Sequence, residues 1–250
     1  MRSPNVIASD RRERSNLMRL LRRFAPRNDI FQLSLLSIML FNPAALFSCE
    51  ELKSLGHLEN RVIVVDAGHG TINFENKITN AGKETFDRVP EHKLTIQIAE
   101  KLGQCLETVG ATVYMTRTKL DYWRPAYNSV DDNRSRAALA NAVKADILIS
   151  VHCDWHPNRR MQGVTTLYSK KISTKLGRSV HNNLIKELKA RDRSFVWDRF
   201  TILDNADMPA VIVEAGFMSN REEGGKLKTP SYQLSVAKGI TKGLLKGFNP

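Results

Sequence analysis

The sequence is short of the features that would settle its class at once. Its 250 residues include three cysteines, Cys49, Cys105 and Cys153, with no C-x-x-C pair and no even-numbered framework. Neither a disulfide scaffold nor a cysteine-rich metal module is written in that spacing. A buried thiol is the expectation for Cys105, on the apolar side of a helix, and for Cys153, which follows a histidine at a strand end. Aromatic residues make up 7% and do not interleave with a basic stripe, so the pattern that nucleic-acid sites use is missing. No apolar run is long enough for a comfortable membrane span. Internal repeats and a second-domain linker are also absent. Acid is scarce at the start, where residues 1–48 carry eight arginines against Asp10, Glu13 and Asp29, or +5 of the formal net charge of +12. The other +7 is spread over the rest of the chain, a distribution that suits an anionic polymer or a membrane surface as well as it suits nucleic acid.

The basic start is followed by an apolar stretch at 30–41, I-F-Q-L-S-L-L-S-I-M-L-F, which Asn42-Pro43 interrupts before a run of small residues. Basic, apolar and small segments in that order form an export signal. The ending L-F-S-C at 46–49 resembles a bacterial lipoprotein cleavage box, in which the cysteine becomes the lipidated first residue. Phe47 is bulky for such a box and the basic region is long, so lipidation of Cys49, simple cleavage and an uncleaved anchor all stand as alternatives. A start at Met18 would shorten the basic region. The expected organisation is an export signal over residues 1–49, a polar linker over 50–60 and one catalytic domain over 61–250.

From Arg61 onward strand-like and helix-like patterns alternate. Residues 62–66, V-I-V-V-D, read as a buried strand ending at Gly68-His69-Gly70, and a polar loop to residue 89 is long enough to lie over a site or carry its own hairpin. Pro90-Glu91 opens a helix with Leu94, Ile98, Leu102 and Leu106 on one stripe. Strands follow at 111–116, 146–151, 163–168 and 209–213, and helices at 131–143, 173–190 and 232–248. Nearly all-apolar strands alternating with amphipathic helices predict a single α/β domain, a mostly parallel mixed sheet with helices on both faces, of the phosphorylase/hydrolase-like kind.

Ligands in open sheets of this class gather beyond the carboxyl ends of the strands. His69, His152 and Glu214 each stand at such an end, and Glu91 starts a helix. Taken singly, two of these have ordinary explanations. Glu91 suits the first turn of a helix, and His152 suits a hydrogen-bonded core position. Glu214, directly after V-I-V, is costly to bury without a partner. Together, two imidazoles and two carboxylates have the composition of a hydrolytic zinc site, although the pattern does not say which carboxylate binds metal and which moves protons. His92 is an outside candidate for metal or substrate, and His156 is expected in a surface loop.

The matches that carry a resemblance are V-I-V-V-D-A-G-H-G at 62–70, E-H-K-L-T-I-Q-I-A from Glu91, G-A-T-V-Y-M-T-R at 110–117, Arg136 with Ala140-Asn141, A-D-I-L-I-S-V-H at 145–152 and P-A-V-I-V-E-A-G-F-M-S-N at 209–220. From Arg61 to Phe248 the chain resembles the zinc-dependent N-acetylmuramoyl-L-alanine amidases of the bacterial cell-wall amidase 3 family. That resemblance implies one zinc ion held by His69, Glu91 and His152, with Glu214 as the catalytic carboxylate. It also implies peptidoglycan as substrate, cleaved at the amide between the lactyl group of N-acetylmuramic acid and L-alanine, for wall remodelling or daughter-cell separation. An exported, periplasmic monomer follows, with no nucleic-acid partner, attached to the membrane if the N-terminal segment or a lipidated Cys49 holds it there. The sequence departs from the family after Gly70, where T-I-N-F-E-N-K lacks the usual second glycine and Asp-x-Gly-Ala run. The connections between His152 and Glu214 leave no room for the inhibitory helix that some division-associated members carry, which predicts an enzyme active without an activator. Two rival readings remain: a zinc peptidase that cuts elsewhere in the stem peptide, and a catalytically dead wall-binding module.

Overall fold

Val62–Ala67 (β1) sits next to the middle of a six-stranded sheet because its side chains are apolar on both faces. The computed structural model describes residues 48–72, 77–118 and 129–249, which excludes most of the expected export signal and residues 73–76 of the divergent loop. The other sheet strands are Thr112–Met115 (β4), Ile147–Asp154 (β5), Val164–Tyr168 (β6), Asp192–Trp197 (β7) and Ala210–Phe217 (β8), in the order β4-β1-β5-β8-β6-β7. All neighbouring pairs are parallel except β6 with β8. The expected mostly parallel mixed sheet is therefore observed. Thr71–Ile72 (β2) and Ile78–Asn80 (β3) form a separate antiparallel pair, the hairpin that the length of the loop allowed.

Helices cover both faces. On one face Glu91–Thr108 (α1), Thr174–Leu188 (α3) and Pro230–Phe248 (α6) bury their stripes, Leu94, Ile98 and Leu102 among them, against alternate residues Ile63, Val65, Ile149 and Val213. On the other face Ser129–Ala142 (α2) and Thr201–Asp204 (α4) cover Val64, Leu148 and Ile212 with Ala137, Ala140, Ile202 and Leu203. The remaining helix, Arg221–Leu227 (α5), is capped by Asn220, whose side chain accepts from the backbone N–H groups of Glu222 and Glu223. Among the described residues no helix is long and apolar enough to cross a membrane.

The segment before β1 departs from expectation. Residues 50–60 were expected as a polar linker, yet Glu50–Leu55 is a 3₁₀ helix, and Leu52 and Leu58 are fully buried in the main core. Cys105 is likewise no free thiol. It forms a disulfide with Cys49, 56 residues away in sequence, while Cys153 remains a buried free thiol as expected. The cysteine count could not reveal this pairing because the two partners come from the entry segment and mid-α1, with no motif joining them. The entry segment is thus tied to the catalytic body by a covalent bond and by two leucines.

Candidate functional site

The parallel register sets the site. Asp66 pairs with Ser150, and His152 of β5 lies beside Glu214 of β8, so chain positions far apart in sequence reach the same edge of the sheet. His69 follows β1 with a positive φ of 62°, which turns its ring over the strand ends. Gly68 permits this arrangement by close approach. A Cβ there would lie 2.4 Å from the His152 ring. Gly82, at φ +73°, leaves the same kind of space for the Glu91 carboxylate, 2.5 Å from where its Cβ would be. The glycines therefore make room for the His152 and Glu91 side chains.

Glu91, the first residue of α1, lies between the two imidazoles. Its Oε2 is 2.9 Å from His69 Nε2 and its Oε1 is 3.1 Å from His152 Nδ1. Burial pushes the Glu91 carboxyl up, but hydrogen bonds to His152 and His69 and their charge outweigh this and hold it well below the usual carboxylate range. His69, Glu91 and His152 offer one ligand atom each, all within 4.8 Å of one another. Two imidazole nitrogens and a carboxylate oxygen at that spacing fit the donor set of a catalytic metal, which leaves a further position for water or substrate. Asn80 Oδ1 accepts from His69 Nδ1 at 2.7 Å, which in the neutral imidazole keeps the proton on Nδ1 and leaves the Nε2 lone pair for a metal.

Glu214 faces the same cavity, about 610 Å³ in volume, that Asp66, His69, Glu91, His152, Asp154 and Trp155 line. Its Oε2 is buried without a hydrogen-bond partner. Burial, then the charges of Glu91 and Asp154, push its carboxyl well above the ordinary range. A buried carboxyl with a raised pKa and a partnerless oxygen, facing a polar cavity, is a candidate proton-transfer group. His92 is buried outside the His69, Glu91 and His152 group, with Nδ1 3.2 Å from the Ala81 carbonyl and Nε2 unpartnered. His156 is exposed, and its Nδ1 accepts from the Asn158 N–H in a surface turn, the loop position expected for it.

Two buried arginines hold the backbone that carries His69. Arg117 Nε donates to the carbonyls of Ala67 (3.0 Å) and His69 (2.9 Å), and its Nη2 donates to those of Gly68 and His92. Arg136 donates to the carbonyls of Ala67 and His69 from the other side. Arg136 is held in turn by Asp66 at 2.6 Å and Asp132 at 2.8 Å. Burial opposes ionisation of Asp66, yet the Arg136 charge and hydrogen bonds from Ser150 and Thr116 bring it down to about 2. Sequence patterning did not assign these roles to Asn80, Asp66, Asp132 or Arg117. An acid ending a β-branched run, V-I-V-V-D, was the one visible sign.

Comparison with known proteins agrees with this geometry. A family model described as N-acetylmuramoyl-L-alanine amidase, amidase 3, matches residues 63–246. The germination-specific N-acetylmuramoyl-L-alanine amidase of Bacillus subtilis is 27% identical over 200 residues, which cover 76% of this chain and 81% of that protein. An uncharacterized cell wall amidase of Bacillus anthracis is 28% identical over 214 residues, 79% of this chain but 38% of the relative, so the chain spans well under half of that protein. The solved structure of an N-acetylmuramoyl-L-alanine amidase from Clostridium difficile 630 is 30% identical, with a TM-score of 0.67 over 77% of this chain and 98% of the other.

Proposed function

Because the chain belongs to the amidase 3 family of N-acetylmuramoyl-L-alanine amidases, we propose that it hydrolyses the amide between N-acetylmuramic acid and L-alanine in peptidoglycan, with zinc bound by His69, Glu91 and His152. The observation that carries this reading is the convergence of those three ligand atoms within 4.8 Å, in a cavity that also presents the unpartnered Glu214 Oε2. Zinc in such a site supplies Lewis acidity, bringing water to a pKa of about 7 and polarising the scissile carbonyl.

Every other role falls to the chain. His69 is kept in one tautomer by Asn80, and its backbone is held by Arg117 and Arg136. Glu214 Oε2 takes a proton from the attacking water and returns it to the alanine nitrogen as the C–N bond breaks, so that a neutral amine leaves. The raised pKa of Glu214 suits that transfer, because it makes the carboxylate a stronger base toward the water and keeps the proton on it until the alanine nitrogen takes it.

Action outside the cytoplasm is part of the proposal. The basic and apolar start of the chain and the Cys49–Cys105 disulfide both support it, since disulfides persist in oxidising compartments. The Cys49 sulfur cannot be both lipidated and disulfide-bonded, and pairing with Cys105 favours export without lipidation. Any membrane attachment then rests with the N-terminal segment. Activity without an activator is supported by the packing of the long helix between His152 and Glu214: α3 buries Leu176, Val180 and Leu184 in the main core. Digestion of purified sacculi by the zinc-loaded chain should release free stem peptides with an L-alanine amino terminus, and chelation should stop it. Products cut only within the peptide would replace this reading with a peptidase, and no products without an added partner would remove the activator-free part.

A further inference from the structure

The cavity over His69, Glu91 and His152 does not end at Glu214. Past Gly82, Lys83 and Trp155 it opens into a second depression. That depression shares Phe86, Arg159 and Ser219 with a third, which Arg160 and Arg221 also line. Three adjoining depressions that share lining residues therefore form a trough leading from His69, Glu91 and His152 across the surface. The carboxylates of the two outer depressions are already paired: Glu84 with Arg88 at 3.4 Å and Glu222 with Lys226 at 2.6 Å. Lys83, Arg159, Arg160 and Arg221 are exposed along it, and the Lys83 ammonium lies 5.2 Å from the centre of the Trp155 ring.

The arginine-bearing loop is built to hold its shape. His156 N–H donates to Ser219 Oγ, Arg160 N–H to Asn158 Oδ1, Asn220 Nδ2 to the Arg159 carbonyl, and Gly163 N–H to the buried Glu223 carboxylate at 2.8 Å. Backbone fixed in this way lowers the entropy lost when its guanidinium groups engage a ligand.

The two halves of the substrate differ in charge. The sugar side is N-acetylated and its lactyl acid is consumed in the scissile amide, whereas the peptide side ends in a carboxylate and adds one for each acidic residue. We propose that this trough seats the peptide half of the substrate, with Lys83 and Trp155 flanking the residues next to the scissile bond and Arg159, Arg160 and Arg221 donating to its carboxylates. The proposal rests on the amidase reading and adds a specificity that the metal site alone does not provide.

The test uses the zinc-loaded full chain, with Arg159→Gln/Arg160→Gln and, separately, Arg221→Gln. On muropeptides with free peptide carboxylates the double variant should raise KM roughly five- to tenfold and leave kcat within about twofold, the size expected for losing two exposed charge-assisted contacts. On muropeptides whose peptide carboxylates are amidated, wild type and variant should share one KM. A second arm measures binding of the free, carboxylate-bearing stem peptide to the Glu214→Gln chain by Trp fluorescence or calorimetry, and adding the arginine substitutions should weaken it by a similar factor. Turnover by wild type with KM unchanged in both arginine variants would overturn the trough and leave the amidase reading standing. If wild type releases no stem peptide, the amidase reading fails, and the binding arm alone decides the trough. Equal weakening for inorganic polyphosphate and for the peptide would also overturn it, by marking a general anion surface.

Discussion

Replacing Arg136 by methionine tests how the ligand-bearing loop is held. The side chain is 1% exposed and forms charged hydrogen bonds with two carboxylates that are almost as buried, Asp66 at 1% and Asp132 at 2%. Methionine fills most of the volume but leaves both acids without their cation. Breaking a buried pair from one side costs about 3–5 kcal/mol. Lowering of Asp66 from the ordinary 3.8 to about 2 gives a separate figure, about 2 kcal/mol for that one group. The two agree in order, because the larger value includes Asp132 and the lost bonds to the carbonyls of Ala67 and His69. A domain of this size should lose roughly 6–20 °C in Tm. The pH dependence gives the sharper reading. In wild type the Asp66 pKa is depressed, so its contribution is fully present above about 4 and is lost as pH falls through about 2. In the variant burial acts without Arg136 and raises the folded pKa above the unfolded one, so the contribution is present at low pH and lost as pH rises. Urea denaturation of both proteins at pH 4 and pH 7 should therefore give a smaller stability difference at pH 4. A difference below about 1 kcal/mol at pH 7, or one that does not change with pH, would refute the claim that Asp66 is ionised and held by Arg136.

Four further substitutions separate the roles within the site and the entry segment. Glu214→Gln should abolish stem-peptide release while zinc content measured by atomic emission stays at that of wild type, whereas His69→Ala should lose the metal; turnover retained by either purified variant would count against the assignment. Asn80→Leu removes the acceptor on His69 Nδ1 and should weaken zinc binding about 10–100-fold in a competitive chelator titration, with no change expected if the tautomer is set elsewhere. Cys49→Ser frees a loop closed over 56 residues, for which chain entropy predicts a loss of up to about 4 kcal/mol. Equal urea midpoints for variant and wild type, together with a lipid-sized mass increment on wild-type Cys49, would instead restore the lipoprotein reading.

The parts legible in the sequence are those with a local period or a paired consequence. The stripe Leu94, Ile98, Leu102 and Leu106 predicted α1 because burial follows the helical period, and V-I-V-V and A-V-I-V predicted central strands because both of their faces are covered. His69, His152 and Glu214 could be ranked as candidate site residues because strand ends in a parallel sheet lie at one edge, and the register of β5 with β8 puts His152 beside Glu214. Elements without such a signal were missed. Edge strand β7, D-R-S-F-V-W, alternates only in part and leaves Val196 and Trp197 exposed, while α4 and α5 are too short for a period to emerge. Asn80 and Arg117 were invisible for another reason: each acts through a side chain that reaches backbone or imidazole far away, and no spacing rule records such a bond. The same argument explains Cys49 and the trough. A disulfide between the entry segment and α1, and cations gathered from residues 83, 159, 160 and 221, are juxtapositions made by the fold. What the chain gains from this division is separability. The His69 backbone depends on buried arginines that tolerate little change, while the exposed cations can vary without disturbing Glu91 or its two histidines.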